Sequence, residues 1–177
     1  MQVPEFTAEL DLAPLLGATI DAYAQDDGYW HLFVALRIVG GVPFVFRTEE
    51  RSAGPRFDVF PIHGGREADA RPAWCELARP FVIERAIPLW RVEWTERGAT
   101  WPTVGSDPYT HFAGRGPASP QAANRARVLA GVLLHSATGE GIVVAASDSA
   151  PFNVDLFLPA DAEKGLEGFE LPAILKG

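Results

Sequence analysis

From Tyr29 to Ile38 the side chains alternate. Trp30, Leu32, Val34, Leu36 and Ile38 share one parity, and Tyr29, His31, Phe33, Ala35 and Arg37 the other. A period of two belongs to a strand, whose successive side chains point to opposite faces. Asp26-Asp27-Gly28 precedes the run, and Asp-Gly is a strong hairpin turn. Folding the chain about Asp27 sets Ala24 opposite Trp30, Ala22 opposite Leu32, Ile20 opposite Val34 and Ala18 opposite Leu36. On the other side, a three-residue loop centred on Gly41 sets Ile38 opposite Phe44 and Leu36 opposite Phe46, which keeps the apolar side chains on one face. Residues 16–48 are therefore predicted to form a three-stranded antiparallel meander. Its first strand has a rival: Leu12, Leu15, Leu16, Thr19, Ile20 and Tyr23 also recur at helical spacing, with Asp11 as a cap. Residues 12–24 stay open between strand and helix.

Beyond the meander, Pro and Gly punctuate many short segments. Residues 49–55 read as a polar loop, 56–62 as a short strand, 63–71 as an exposed turn and 72–78 as two turns of helix. Residues 81–96 read as extended, bulged or divided at Pro88, which cannot donate to a ladder. A long irregular connection follows over 98–116. The principal helix is expected at 120–136: Ser119 caps it, Pro120 takes its first position, and Ala122, Ala126, Leu129, Val132 and Leu133 make its apolar stripe. Residues 142–146 and 153–158 then form two strands, and Leu166, Phe169 and Leu171 dock an acidic tail. The sum is an α+β fold in one domain over 1–177. A curved, mostly antiparallel sheet of about six to eight strands carries one amphipathic helix on one face.

At 177 residues the chain can build a core without disulfides or metals, and its lone Cys75 excludes an intrachain disulfide. Cys75, beside Trp74 and Leu77, reads as a small core residue. No basic, apolar leader opens the sequence, and the longest apolar stretch falls short of the ~20 residues a membrane helix needs. A soluble, cytoplasmic protein is expected. The net charge of −8 opposes nucleic acid and anionic lipid as partners.

None of the common catalytic motifs occurs, and the spacing of His31, His63, His111 and His135 offers no metal set. No cofactor is expected. His63-Gly64-Gly65-Arg66 resembles an anion-holding glycine turn, although loop tips favour glycine for steric reasons alone. Ser147, Asp148, Ser149, Asn153 and Asp155 form a polar cluster that reads as a turn. The aromatic residues carry the main functional expectation. Trp90 and Trp94 share one face of an extended run, and Trp101, Tyr109 and His111 follow in the loop. Together they can line a groove for a partner protein or a ring-bearing ligand, with Arg91 and Glu93 on the opposite face.

The expected function is accordingly non-catalytic binding through this aromatic strand and loop. An acidic bacterial inhibitor of the immunity or antitoxin kind fits in size and charge. Two alternatives stand beside it. One is a small-molecule hydrolase with His63 or His111 as base, oriented by Asp107, Asp148 or Asp155. The other is a carrier with an enclosed apolar cavity.

Overall fold

The structure, a computed structural model, describes residues 2–26, 30–54, 57–97, 114–148 and 150–171. In chain order its strands are β1 (Glu5–Phe6), β2 (Thr19–Gln25), β3 (Val34–Ile38), β4 (Phe44–Thr48), β5 (Arg51–Gly54), β6 (Phe57–Val59) and β7 (Ile62–Arg66). There follow β8 (Cys75–Val82), β9 (Arg85–Glu96), β10 (Gly114–Arg115), β11 (Ala122–His135), β12 (Gly141–Ala146) and β13 (Val154–Phe157). The helical elements are two 3-10 turns and the short α1 (Ala162–Gly165). Sheet I runs β10-β9-β11-β12-β13, with β1 parallel to β11; sheet II runs β7-β4-β3-β2-β8. β5 and β6 form a separate hairpin.

The two sheets close on one dry interior. Sheet II contributes Ile20, Val34, Leu36, Phe44, Phe46 and Phe81, and sheet I contributes Leu129, Val132, Leu134, Ile142 and Val144. The meander forms, with neighbours in the order β4-β3-β2, and residues 19–25 are strand rather than helix. Its registers differ from expectation. Gln25 pairs with Val34, so the connection is longer than an Asp-Gly hairpin, and Trp30 and Leu32 lie outside the strand, 37% and 48% exposed. A bulge between Ile20 and Ala22 turns Ala22 and Ala24 to the outer face and Tyr23 inward. Leu36 pairs with Phe44, not Phe46; the slip of two residues preserves the shared face.

The helix expected at 120–136 is instead the longest strand, β11, of 14 residues. Its local start signal is real but makes a turn. The Ser119 hydroxyl accepts the Gln121 N–H at 3.1 Å, and the Ser119 carbonyl accepts the Ala122 N–H at 2.9 Å, with Pro120 inside the turn. The helical stripe misleads because Val128 to Leu134 are buried without interruption. A strand covered on both faces loses its alternation. A second bulge, between Leu129 and Gly131, then shifts the phase, so that Ala126, Val128, Gly131 and Leu133 share one face.

Other segments are corrected similarly. Residues 51–54 and 63–66, expected as loop and turn, belong to β5 and β7, and residues 75–78, expected as helix, open β8. Cys75 is exposed, not core. The glycine turn at His63–Arg66 is strand β7, paired with β4. A Cβ on Gly64 would stand 2.9 Å from Phe44 and 3.0 Å from the Val45 carbonyl, so glycine there serves close packing. The pair β12–β13 and the docking of Leu166 and Phe169 follow expectation.

Candidate functional site

Strand β9 has two unlike faces. Sequence reasoning placed Arg91 and Glu93 away from the tryptophans, and the structure agrees. It differs in which face is dry. Arg91 is 4% exposed and Glu93 is 0% exposed, whereas Trp90, Val92 and Trp94 are half-buried.

On the tryptophan face, β11 sets Arg125 opposite Trp94, and Arg127 opposite Val92. The Arg127 guanidinium lies 4.3 Å from the Trp90 ring, a cation–π distance, and donates to Glu5 at 2.5 Å and Glu170 at 2.7 Å. Those two carboxylates hold Arg127 in its charged form above the ordinary guanidinium range. The Trp94 ring lies across Gly114, where any Cβ would collide with it. A cavity of about 530 Å³ opens where the β1 segment meets residues 118–125, lined by Ser119, Asn124 and Arg125.

The opposite face is ionic and buried. Arg91 Nε donates to Glu93 Oε1 at 2.8 Å, and its Nη1 donates to the Ala146 carbonyl at 2.8 Å. Arg115, paired with Glu93 across β10 and β9, donates to the Ser147 carbonyl. The two arginines thus satisfy carbonyls at the end of β12, where the ladder stops. Burial and the charge of Arg91 push the Arg115 guanidinium down to about 10, so it remains protonated at neutral pH. On β13, Asp155 lies opposite Ala145, which puts it on the same face. Burial holds its carboxyl above the usual range and Asp148 adds to the shift, while the Ser147 hydroxyl, His31 and Arg115 oppose it. A cavity of about 140 Å³ joins Arg91, Asp148 and Asp155 to Lys164, Phe157 and Phe169.

The raised Asp155 has a signed consequence. The folded protein holds that proton to higher pH than the unfolded chain does, so ionising Asp155 costs stability as pH rises through the window. Asp155→Asn should therefore melt higher than the wild type at neutral pH and lose that advantage on acidification. Melting curves across pH check this. A variant that melts lower at neutral pH would show Asp155 to be a net stabiliser there.

Of the expected binding residues, Trp90 and Trp94 do share a face. Trp101, Tyr109, His111 and Asp107 lie outside the described residues. His63 sits on β7 in sheet II, opposite Arg47. The histidine that acts on Asp155 is His31. Sequence reasoning missed the Arg91–Glu93–Arg115 group. The available signal was Arg-x-Glu, two opposite charges on one face of a strand. Two cavities of about 570 and 530 Å³ mix polar and small apolar linings: Glu9, Asp11 and Arg66 with Ala13 and Pro14 in one, and Ser119, Asn124 and Arg125 with Val3, Pro4 and Ala53 in the other. Among the described residues no three ligating side chains gather as a metal set, and no helix is long and apolar enough to cross a membrane. Comparison with known protein families, with curated proteins and with solved structures returns no match.

Proposed function

We propose that this chain is a non-catalytic binding protein that presents the Trp90–Val92–Trp94 face of β9, with Arg125 and Arg127 beside it, to a partner protein or a ring-bearing ligand. The observation that carries the reading is the half-buried tryptophan pair backed by a rigid ionic layer on the other side of the same strand. Aromatic and arginine side chains are the usual anchors of recognition surfaces, since they offer large contact area with few rotamers to freeze. Arg127 is already pinned by Glu5 and Glu170, so the face is pre-ordered. Trp101, Tyr109 and His111, which follow β9 in the sequence, are proposed to contribute to the same recognition. A cytoplasmic setting and an inhibitor-like role belong to the same proposal.

The test is affinity capture from the native host with wild-type, Arg125→Glu and Trp101→Ala chains. Arg125 is exposed, so its reversal should leave melting nearly unchanged while removing the protein or small molecule that wild type retains. Trp101→Ala should do the same. Equal capture by all three chains would sink this surface. A large loss of stability in Trp101→Ala would move Trp101 into the core.

The hydrolase reading retains one observation in its favour, the electrostatic contact of His31 with Asp155. It shifts the base from His63 or His111 to His31.

A further inference from the structure

β7 and β8 are the two edge strands of sheet II, so the chain between them must cross the sheet. Residues 67–74 do so over the outer face, where Ala70 and Trp74 pack against Ala24, Ala35 and Val45. The crossing is fastened at both ends. At the β7 end the Glu67 N–H donates to the Pro43 carbonyl at 2.9 Å, and the Glu67 carboxylate accepts twice from Arg47. At the β8 end the Arg37 guanidinium lies 5.8 Å from the Trp74 ring and is itself held by Asp21 and Glu76. Between the fastenings lies a cavity of about 240 Å³. Ala35 and Val45, 1% and 2% exposed, form its floor, and Ala70 and Pro72 line it from the crossing chain. Phe33, with Arg47 6.0 Å from its ring, closes one side. Three charged side chains complete the lining. Arg47 and Glu67 neutralise each other. Arg71 forms no ion pair among the described residues. Its Nη1 donates to the Ala68 and Ala70 carbonyls at 2.6 and 2.9 Å, which anchors the guanidinium to the crossing chain. Its Nε and Nη2 have no protein partner among the described residues, and those two N–H groups make the planar fork that fits a carboxylate. Apolar walls thus meet one net positive charge, the composition of a site that buries an apolar body and orients one anionic end. An apolar cavity of about 150 Å³ retains a benzene ring, and at ~30 Å³ per heavy atom the remaining space here suits about three more, the size of a carboxylate.

We infer that this cavity binds a small free carboxylic acid built on one ring, with the ring between the Ala35–Val45 floor and Ala70 and the carboxylate on the Nε–Nη2 edge of Arg71. Burial of the ring supplies the attraction, and the two charge-assisted hydrogen bonds supply direction. Arg71 is exposed, so affinity should fall as salt is added. The inference is independent of the tryptophan face, which belongs to sheet I, and either can fail without the other.

The test is calorimetric and NMR titration of the full chain with sodium benzoate. Benzylammonium chloride serves as the reversed charge, and sodium acetate as the carboxylate without a ring. Saturable binding of benzoate alone is expected, with intermolecular NOEs from its ring protons to the methyl groups of Ala35, Val45 and Ala70. Arg71→Gln should weaken it about ten-fold or more, the worth of hydrogen bonds to a charged group. Ala70→Leu, which fills the space, should abolish it. Arg51→Gln, on the separate β5–β6 hairpin, should leave it unchanged. Circular dichroism confirms that each variant is folded, and Arg71→Gln keeps the test decisive should Ala70→Leu fail to fold. N-acetyl-phenylalanine, which carries a ring and a carboxylate on a piece of backbone, should bind more weakly than benzoate. Equal binding of the two would place a chain terminus here and overturn the assignment to a free acid. No saturation by benzoate, NOEs to the indoles of Trp90 and Trp94 in place of the three methyl-bearing residues, or full affinity in both Arg71→Gln and Ala70→Leu would overturn the inference outright.

Discussion

Glu93→Ala is expected to destabilise the protein by about 3–5 kcal/mol, because it leaves the buried Arg91 guanidinium without its counter-charge. Glu93 has no exposure, and its Oε1 accepts from Arg91 at 2.8 Å while Arg115 Nε stands 4.0 Å away. The cost comes less from the lost attraction than from the stranded charge. Replacing the pair together, Arg91→Met with Glu93→Leu, should therefore cost much less than the two single changes added. Urea titration of the four chains measures both quantities. A loss below ~1 kcal/mol for Glu93→Ala, the range of solvent-screened pairs, would mean that water reaches this face.

Phe46→Ala should be comparably damaging, about 3–5 kcal/mol, as expected for deleting a fully buried aromatic ring. Phe46 is unexposed, its ring centroid lies 4.9 Å from that of Phe44, and the cluster it belongs to takes residues from both sheets. Removing it opens the joint between the sheets, where little can collapse inward. For a chain of this length the melting point should fall by roughly 6–20 °C. Arg51→Ala, on the exposed hairpin strand β5, should stay within about 0.5 kcal/mol. A Phe46→Ala chain that melts near wild type would mean that the two sheets do not share this interior.

The parts of the fold that could be read from the sequence are those whose two faces differ in the size of their side chains. Val34–Ile38 and Phe44–Thr48 set Val34, Leu36, Phe44 and Phe46 into the main core and the smaller Ala35 and Val45 into a minor cluster on the other face, and both emerged as strands. β11 could not be read in this way. Its residues from Val128 to Leu134 are dry on both sides, so a helical stripe could be picked from an apolar run that has no period of its own. The bulges at Ile20–Ala22 and Leu129–Gly131 were illegible for another reason: each inserts one residue, and no residue type announces it. At the candidate site, Trp90 and Trp94 were identified from shared parity. Arg91 and Glu93 were placed on the opposite face from the same parity, but their burial was not legible, because charged residues ordinarily face water. Here each charge is the other's solvent.

Strand β1 lies beside β11, and Glu5 reaches Arg127 across 122 positions of sequence. During synthesis β1 emerges well before β11 and must wait for it. At about 5–20 residues/s that interval is roughly six to twenty-four seconds. Until then Phe6 has no place to bury, and the open edge of a nascent sheet is exposed to other chains. Co-translational chaperone occupancy at β1, and aggregation when elongation is slowed after Leu10, would be the cellular signature of that late closure.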